Sequence, residues 1–141
     1  MNGDDADDAA VEALRALIRI PTVSAWDPEK EDRAAFESLL AELRGRFPRL
    51  HAACEVERIS GDALLVRWPG RTREAPVVLM AHLDVVPVDD PSVWTHPPFA
   101  ADLVDGFVWG RGALDCKGSL VATCAAVEAL VEEGVVPGRD V

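Results

Sequence analysis

The sequence predicts an α/β fold, and three observations carry that prediction. Apolar residues recur at helical spacing in the first third of the chain and again near its end. Short strand-like runs broken by turn residues lie between them. One continuous apolar run, Val77-Val78-Leu79-Met80, reads as a strand buried on both faces, as in the middle of an α/β sheet.

The first helix is marked by Val11, Leu14, Leu17 and Ile18. Asp4, Asp5, Asp7 and Asp8 precede that stripe and suit the positive end of the helix dipole. Pro21 pushes Ile20 out of the helical region, so the helix ends near Arg19. Asp27 as N-cap, with Pro28 in the first turn, predicts a second helix whose stripe is Phe36, Leu39, Leu40 and Leu43 and whose stop is Gly45. Residues 54–59 and 63–68 read as a hairpin turning at Ser60-Gly61-Asp62. Pro69-Gly70 breaks the chain ahead of the 77–80 run. Residues 87–98 hold four prolines and form a long ordered loop, and residues 99–109 read as a second hairpin turning at Asp105-Gly106. A helix over 119–133 presents Leu120, Cys124, Val127, Leu130 and Val131 on one face and closes at Gly134. After a turn at Pro137-Gly138, Arg139-Asp140-Val141 look like the first residues of a strand. No internal repeat or low-complexity linker interrupts this order.

A chain of 141 residues with 49% hydrophobic residues can bury one core, so wholesale disorder is not expected. Its formal net charge of −11 argues against nucleic acid and anionic membrane surfaces as partners, because both demand basic patches. No apolar run approaches the roughly 18 residues of a membrane span, and the acidic start is the reverse of a basic signal-peptide opening. A cytoplasmic protein is the expectation. Cys54, Cys116 and Cys124 lack the paired short spacing of a zinc knuckle or redox motif and are expected as reduced thiols.

Two segments carry the chemistry: Ala81-His82-Leu83-Asp84-Val85-Val86-Pro87 and Gly110-Arg111-Gly112-Ala113-Leu114-Asp115-Cys116-Lys117-Gly118. Residues two apart in a strand share a side, so His82 and Asp84 face together at the end of the 77–80 run. Ligands bind at the carboxyl ends of strands in open α/β sheets. A neutral imidazole is a good zinc ligand, and a nearby carboxylate commonly orients it. The same His-x-Asp also suits a core histidine beside a turn-capping aspartate. The glycines of the second segment let the backbone turn sharply and hold Asp115 just before a helix, where it is either a metal ligand or an ordinary capping residue.

Taken together, these two segments, Trp94-Thr95-His96-Pro97-Pro98-Phe99 between them and Ile20-Pro21-Thr22-Val23-Ser24 after the first helix resemble a zinc peptidase and deacylase family. Its members include aminoacylases, carboxypeptidases G and S, succinyl-diaminopimelate desuccinylase and dipeptidases, and the carboxypeptidase S-like branch is nearest. The blocks occur in order over about residues 11–138. The resemblance implies the N-terminal part of a mixed-sheet, zinc-exopeptidase-like catalytic domain with helices covering the sheet. Residues 1–141 would be that portion, with the remainder of the catalytic domain and a lid or dimerisation domain absent. It further implies that His82 binds one zinc, that Asp115 bridges two, that Asp84 holds His82 in orientation, and that the Asp115–Cys116 peptide is a candidate for a cis bond. Cobalt or manganese could substitute for zinc. The implied reaction is metal-assisted hydrolysis of an amide in a peptide or N-acyl amino acid, with a glutamate of a Glu-Glu pair as general base.

No position matches that pair, since Glu132-Glu133 sits at a helix C-terminus with no strand before it. The chain by itself is therefore expected to bind zinc weakly and hydrolyse nothing. Oligomeric state is not legible in the sequence. Cys116 reads as structural filler, Lys117 as a local counter-charge, His96 as loop packing, His51 as a surface residue, and Trp94 and Trp109 as packing under the loop. A short non-catalytic binding or dimerising module derived from that family is the alternative. A catalytic dyad of His82 and Asp84 lacks a serine in a Gly-x-Ser-x-Gly elbow.

Overall fold

The computed structural model describes residues 3–141, with side chains from residue 8 onward. Helix α1 (Gly3–Ile18) buries Leu17 and Ile18 of the expected stripe together with Ala13, while Val11 and Leu14 are half-buried. The carboxylates of Asp4, Asp5 and Asp7 lie outside the described side chains.

The second helix starts later than expected. Asp27 caps only a single 3₁₀ turn, Pro28–Lys30, accepting from the Glu29 amide at 3.1 Å. Glu31 is then extended, and Asp32 caps helix α2 (Arg33–Arg46) by accepting from the amides of Ala34 and Ala35. Two orphan amides are satisfied at Asp32, which makes it the stronger start. Gly45 does not stop the helix. Pro48 forces Phe47 out of the helical region (φ −122°, ψ 62°), so the break falls there and a short helix α3 (Pro48–Ala53) follows. A carboxylate from elsewhere in the chain, Glu128, accepts from the free amides of Arg49 and Leu50 at 3.0 and 2.7 Å.

Helices α1, α2 and α3 pack with α4 (Gly118–Glu132) around Leu17, Leu39, Leu43, Phe47, Leu50 and Val121. On α4 only Val121 is fully buried. Leu120, Cys124 and Val127 are half-buried, and Leu130 of the expected face is exposed. Gly134, at φ +74°, closes this helix as expected.

Strands β1 (Glu55–Ile59) and β2 (Ala63–Arg67) form the expected antiparallel hairpin, with Glu55 opposite Arg67 and Ile59 opposite Ala63. Arg58 pairs with Glu37 at 2.8 Å and Arg33 pairs with Asp62, which fastens the hairpin to α2. The second hairpin, β3 (Asp102–Val104) and β4 (Phe107–Trp109), turns at Asp105-Gly106.

The 77–80 run departs from expectation. Val77, Val78, Leu79 and Met80 are 45%, 72%, 56% and 89% exposed and belong to no ladder. Among the described residues, no strand ladder flanks the run on either side; Val77 and Leu79 face α4 and Val141 across a groove, and Val78 and Met80 are left largely uncovered. Its main chain is engaged at the ends: the Val77 amide donates to the Asp140 carbonyl at 2.9 Å, and Val85 forms a parallel bridge with Val23. Residues 140–141 are strand-like, with the Trp68 amide donating to the Val141 carbonyl and the Val141 amide to the Trp68 carbonyl. An apolar groove lies between β2 and the 77–81 segment, floored by Leu120, Cys124 and Val127. No helix among the described residues is long and apolar enough to cross a membrane.

Candidate metal centre

Two segments separated by some thirty residues converge through the end of α1. Pro21 ends the helix, and residues 22–24 run alongside 83–85. The Val85 amide donates to the Thr22 carbonyl at 2.8 Å, the Ser24 amide to the Val85 carbonyl at 3.0 Å, and the Thr22 hydroxyl to the Leu83 carbonyl at 2.6 Å. Val85, 2% exposed, anchors this pairing in the interior. His82 and Asp84 stand beside it.

Asp115 is presented by a tight turn over Ala113–Lys117 that opens at Gly112. Gly112 has φ +84°, and a Cβ there would lie 2.6 Å from Cγ1 of Val85, so only glycine lets the turn sit against the His82 segment. Inside the turn Asp115 and Cys116 are non-helical, and the Asp115–Cys116 peptide is cis, as the resemblance implies.

Nε2 of His82 lies 2.9 Å from Oδ1 of Asp115. Nδ1 lies 2.9 Å from the Asp84 main-chain carbonyl and 3.2 Å from the Asp84 carboxylate. A carbonyl only accepts, so Nδ1 carries a proton, and in the neutral ring Nε2 is left as the ligating atom. Hydrogen bonding from Nε2 to Asp115 then requires the imidazolium. For that reason the Asp115 bond, with help from Asp84, raises the His82 pKa above the ordinary histidine value. The site is open, with the His82 and Asp115 side chains 48% and 88% exposed.

The donor atoms of His82, Asp115 and Cys116 lie within 4.8 Å of one another. The imidazole and carboxylate suit zinc or a similar divalent ion, and their exposure leaves room for one. Cys116 turns its sulfur to the His82 main chain, accepting from that amide at 3.1 Å, so it packs the turn.

Lys117, expected as a local counter-charge, feels the charge of Asp84 from a fully buried position. Its Nζ donates to the carbonyls of Leu17 and Ile20, each at 2.8 Å. Burial lowers its pKa to about 8, against the opposing charge of Asp84. His96 packs the loop as expected, 3.0 Å from Asp102 and against the Trp109 ring. Trp94 lies beneath the Arg111 guanidinium at 4.8 Å. His51 is half-buried, with Nδ1 2.9 Å from the Phe47 carbonyl. Glu132 pairs with Arg49 at 3.0 Å and takes no part in the His82 cluster. Thr22 stands in the sequence only as part of the Ile20–Ser24 block, without a role of its own; the signal for one is a hydroxyl at the helix end directly after Pro21, since a buried hydroxyl needs a partner.

Residues 78–141 match the model of "Peptidase family M20/M25/M40". Carboxypeptidase S of Saccharomyces cerevisiae is 36% identical over 94% of this chain and 25% of its own length. An N-fatty-acyl-amino acid synthase/hydrolase of Xenopus tropicalis is 33% identical over 92% of this chain and 25% of its own. The chain thus spans about a quarter of the length of these curated relatives. In fold, it is similar to an M20 family metallo-carboxypeptidase from Sulfolobus solfataricus, with a TM-score of 0.67 at 24% identity, over 89% of this chain and 28% of that one.

Proposed function

We propose, from the premise that this chain belongs to peptidase family M20/M25/M40, that it supplies part of the site of a zinc-dependent hydrolase of amide bonds in peptides or N-acyl amino acids. The observation that carries the reading is the approach of His82 Nε2 to Asp115 Oδ1, two donors of the right chemistry brought together from separate segments. The names of the relatives, a carboxypeptidase and an N-fatty-acyl-amino acid synthase/hydrolase, support the substrate class.

His82 would hold one zinc through Nε2, and Asp115 would bridge two. When bound, such ions supply an activated water and a polarised carbonyl. Asp84 keeps the imidazole turned so that Nε2 faces Asp115, by its main-chain carbonyl and its carboxylate together. Catalytic zinc takes about three protein ligands, and no glutamate of the described residues stands in the cluster as general base. These residues alone therefore bind zinc weakly and turn nothing over. Hydrolysis belongs to a site to which further ligands are added.

The test is an exchange of residues 1–141 into yeast carboxypeptidase S in place of the matching segment, assayed by amine release from peptides and N-acyl amino acids. An active chimera that loses turnover with His82→Ala and with Asp115→Asn supports the reading. A folded, active chimera indifferent to both substitutions overturns it.

A further inference from the structure

The Ile20-Pro21-Thr22 turn touches both halves of the candidate metal centre. On one side Thr22, fully buried, binds the His82 segment by its hydroxyl to the Leu83 carbonyl at 2.6 Å and by its carbonyl to the Val85 amide at 2.8 Å. On the other side Lys117, two residues beyond Asp115, sends its side chain under Gly112 to the Leu17 and Ile20 carbonyls. Ile20 is the node: its carbonyl accepts from Lys117 Nζ at 2.8 Å and from the Thr22 amide at 2.9 Å. Carbonyls in the last turn of a helix lack intrahelical donors and carry its partial negative charge, so an ammonium is a favoured partner there. The Lys117 amide, donating to the Gly112 carbonyl at 2.9 Å, closes the Asp115 turn on the same lysine.

We propose that Lys117 and Thr22 are positioning residues that set the spacing of His82 and Asp115 through the Leu17–Thr22 turn. Neither touches the cluster itself. Lys117 draws the Asp115 turn onto the end of α1, Thr22 draws the His82 segment onto the same end, and the two donors meet above it. The inference rests on the metal-site reading for its consequence and on the hydrogen bonds alone for its geometry.

The probe is Co²⁺, whose visible absorption reports coordination geometry as well as occupancy. It is titrated into the wild-type chain and the variants Lys117→Met, Thr22→Val and Thr22→Ser, with folding checked by thermal melting. Lys117→Met and Thr22→Val are expected to weaken Co²⁺ about tenfold or more and to shift the absorption band, as losses behind a metal ligand do. Thr22→Ser, which keeps the hydroxyl, stays near wild type. Loss of folded fraction alone would lower the amplitude without moving the band. If Lys117→Met does not fold, the Val and Ser pair at Thr22 decides. If wild type shows no Co²⁺ spectrum, the metal-site reading fails, and metal-free crystal structures of wild type and Thr22→Val decide the positioning. A wider Nε2–Oδ1 separation in Thr22→Val upholds it, and an unchanged one overturns it. Folded Lys117→Met and Thr22→Val chains that bind Co²⁺ as wild type does also overturn it.

Discussion

The helix layer and the 77–85 segment are built on opposite terms. In the first, Leu17 and Leu39 are wholly buried among α1, α2 and α3. In the second, Val78 and Met80 are largely exposed, and the segment is located by main-chain bonds at its two ends, to Asp140 and to residues 22–24. Packing holds the one; hydrogen bonds to the end of α1 aim the other. His82 belongs to the aimed segment and Asp115 to the Ala113–Lys117 turn beside it, and both side chains are left open to solvent.

The largest effect separating the two regions comes from truncating an apolar side chain in each. Leu39→Ala should lower the unfolding free energy by about 2–5 kcal/mol, through lost burial and a residual cavity. Leu79→Ala should stay within about 0.5 kcal/mol, as for a surface site. Urea unfolding measures both, and equal effects would break the comparison. Next in size are the two helix starts. Asp32→Ala should destabilise by about 1 kcal/mol, as the cap of a fourteen-residue helix, and Asp27→Ala by clearly less, since it caps one turn.

Acid should weaken the anchor at the start of the 77–85 segment. The Gly70 amide and the Arg67 guanidinium hold the Asp140 carboxyl below the usual carboxylate range. Its contribution is present above the unfolded pKa of about 3.9 and disappears as pH falls through the lower folded value. Asp140→Asn should therefore flatten the acid limb of the urea midpoint against pH. For His82 the sign is reversed. Its folded pKa is raised, so its small contribution is full below about pH 6.5 and lost as pH rises through the folded value. The smallest effect sharpens the site: by histidine NMR titration, Asp115→Asn should lower the His82 midpoint more than Asp84→Ala, because the main-chain carbonyl of residue 84 remains in the variant.

Much of this was legible in the sequence because local rules decided it. Pro21 and Gly134 mark helix ends, the Ser60-Gly61-Asp62 and Asp105-Gly106 turns make hairpins, and Gly112 takes the left-handed conformation that the turn before Asp115 requires. Asp27 misled because a cap signal says where a helix can start, while Asp32, five residues on, satisfied two amides instead of one. The 77–80 run misled differently: an apolar run states what a strand would bury, and burial also requires neighbours. Lys117 reads in the sequence as a charge near an acidic site, and nothing local shows that its hydrogen-bond partners are carbonyls a hundred residues away. The convergence of His82 and Asp115 is of that kind too, and only motif resemblance anticipated it.

The most direct test of the central claim, that His82 and Asp115 form one metal-binding pair, is the ¹⁵N spectrum of the His82 ring during a Zn²⁺ titration. The account predicts that Nε2 shifts on zinc binding, that Nδ1 keeps its proton on the Asp84 carbonyl, and that Asp115→Asn abolishes the shift. A ring unmoved by zinc, or one that binds equally well in Asp115→Asn, would contradict it.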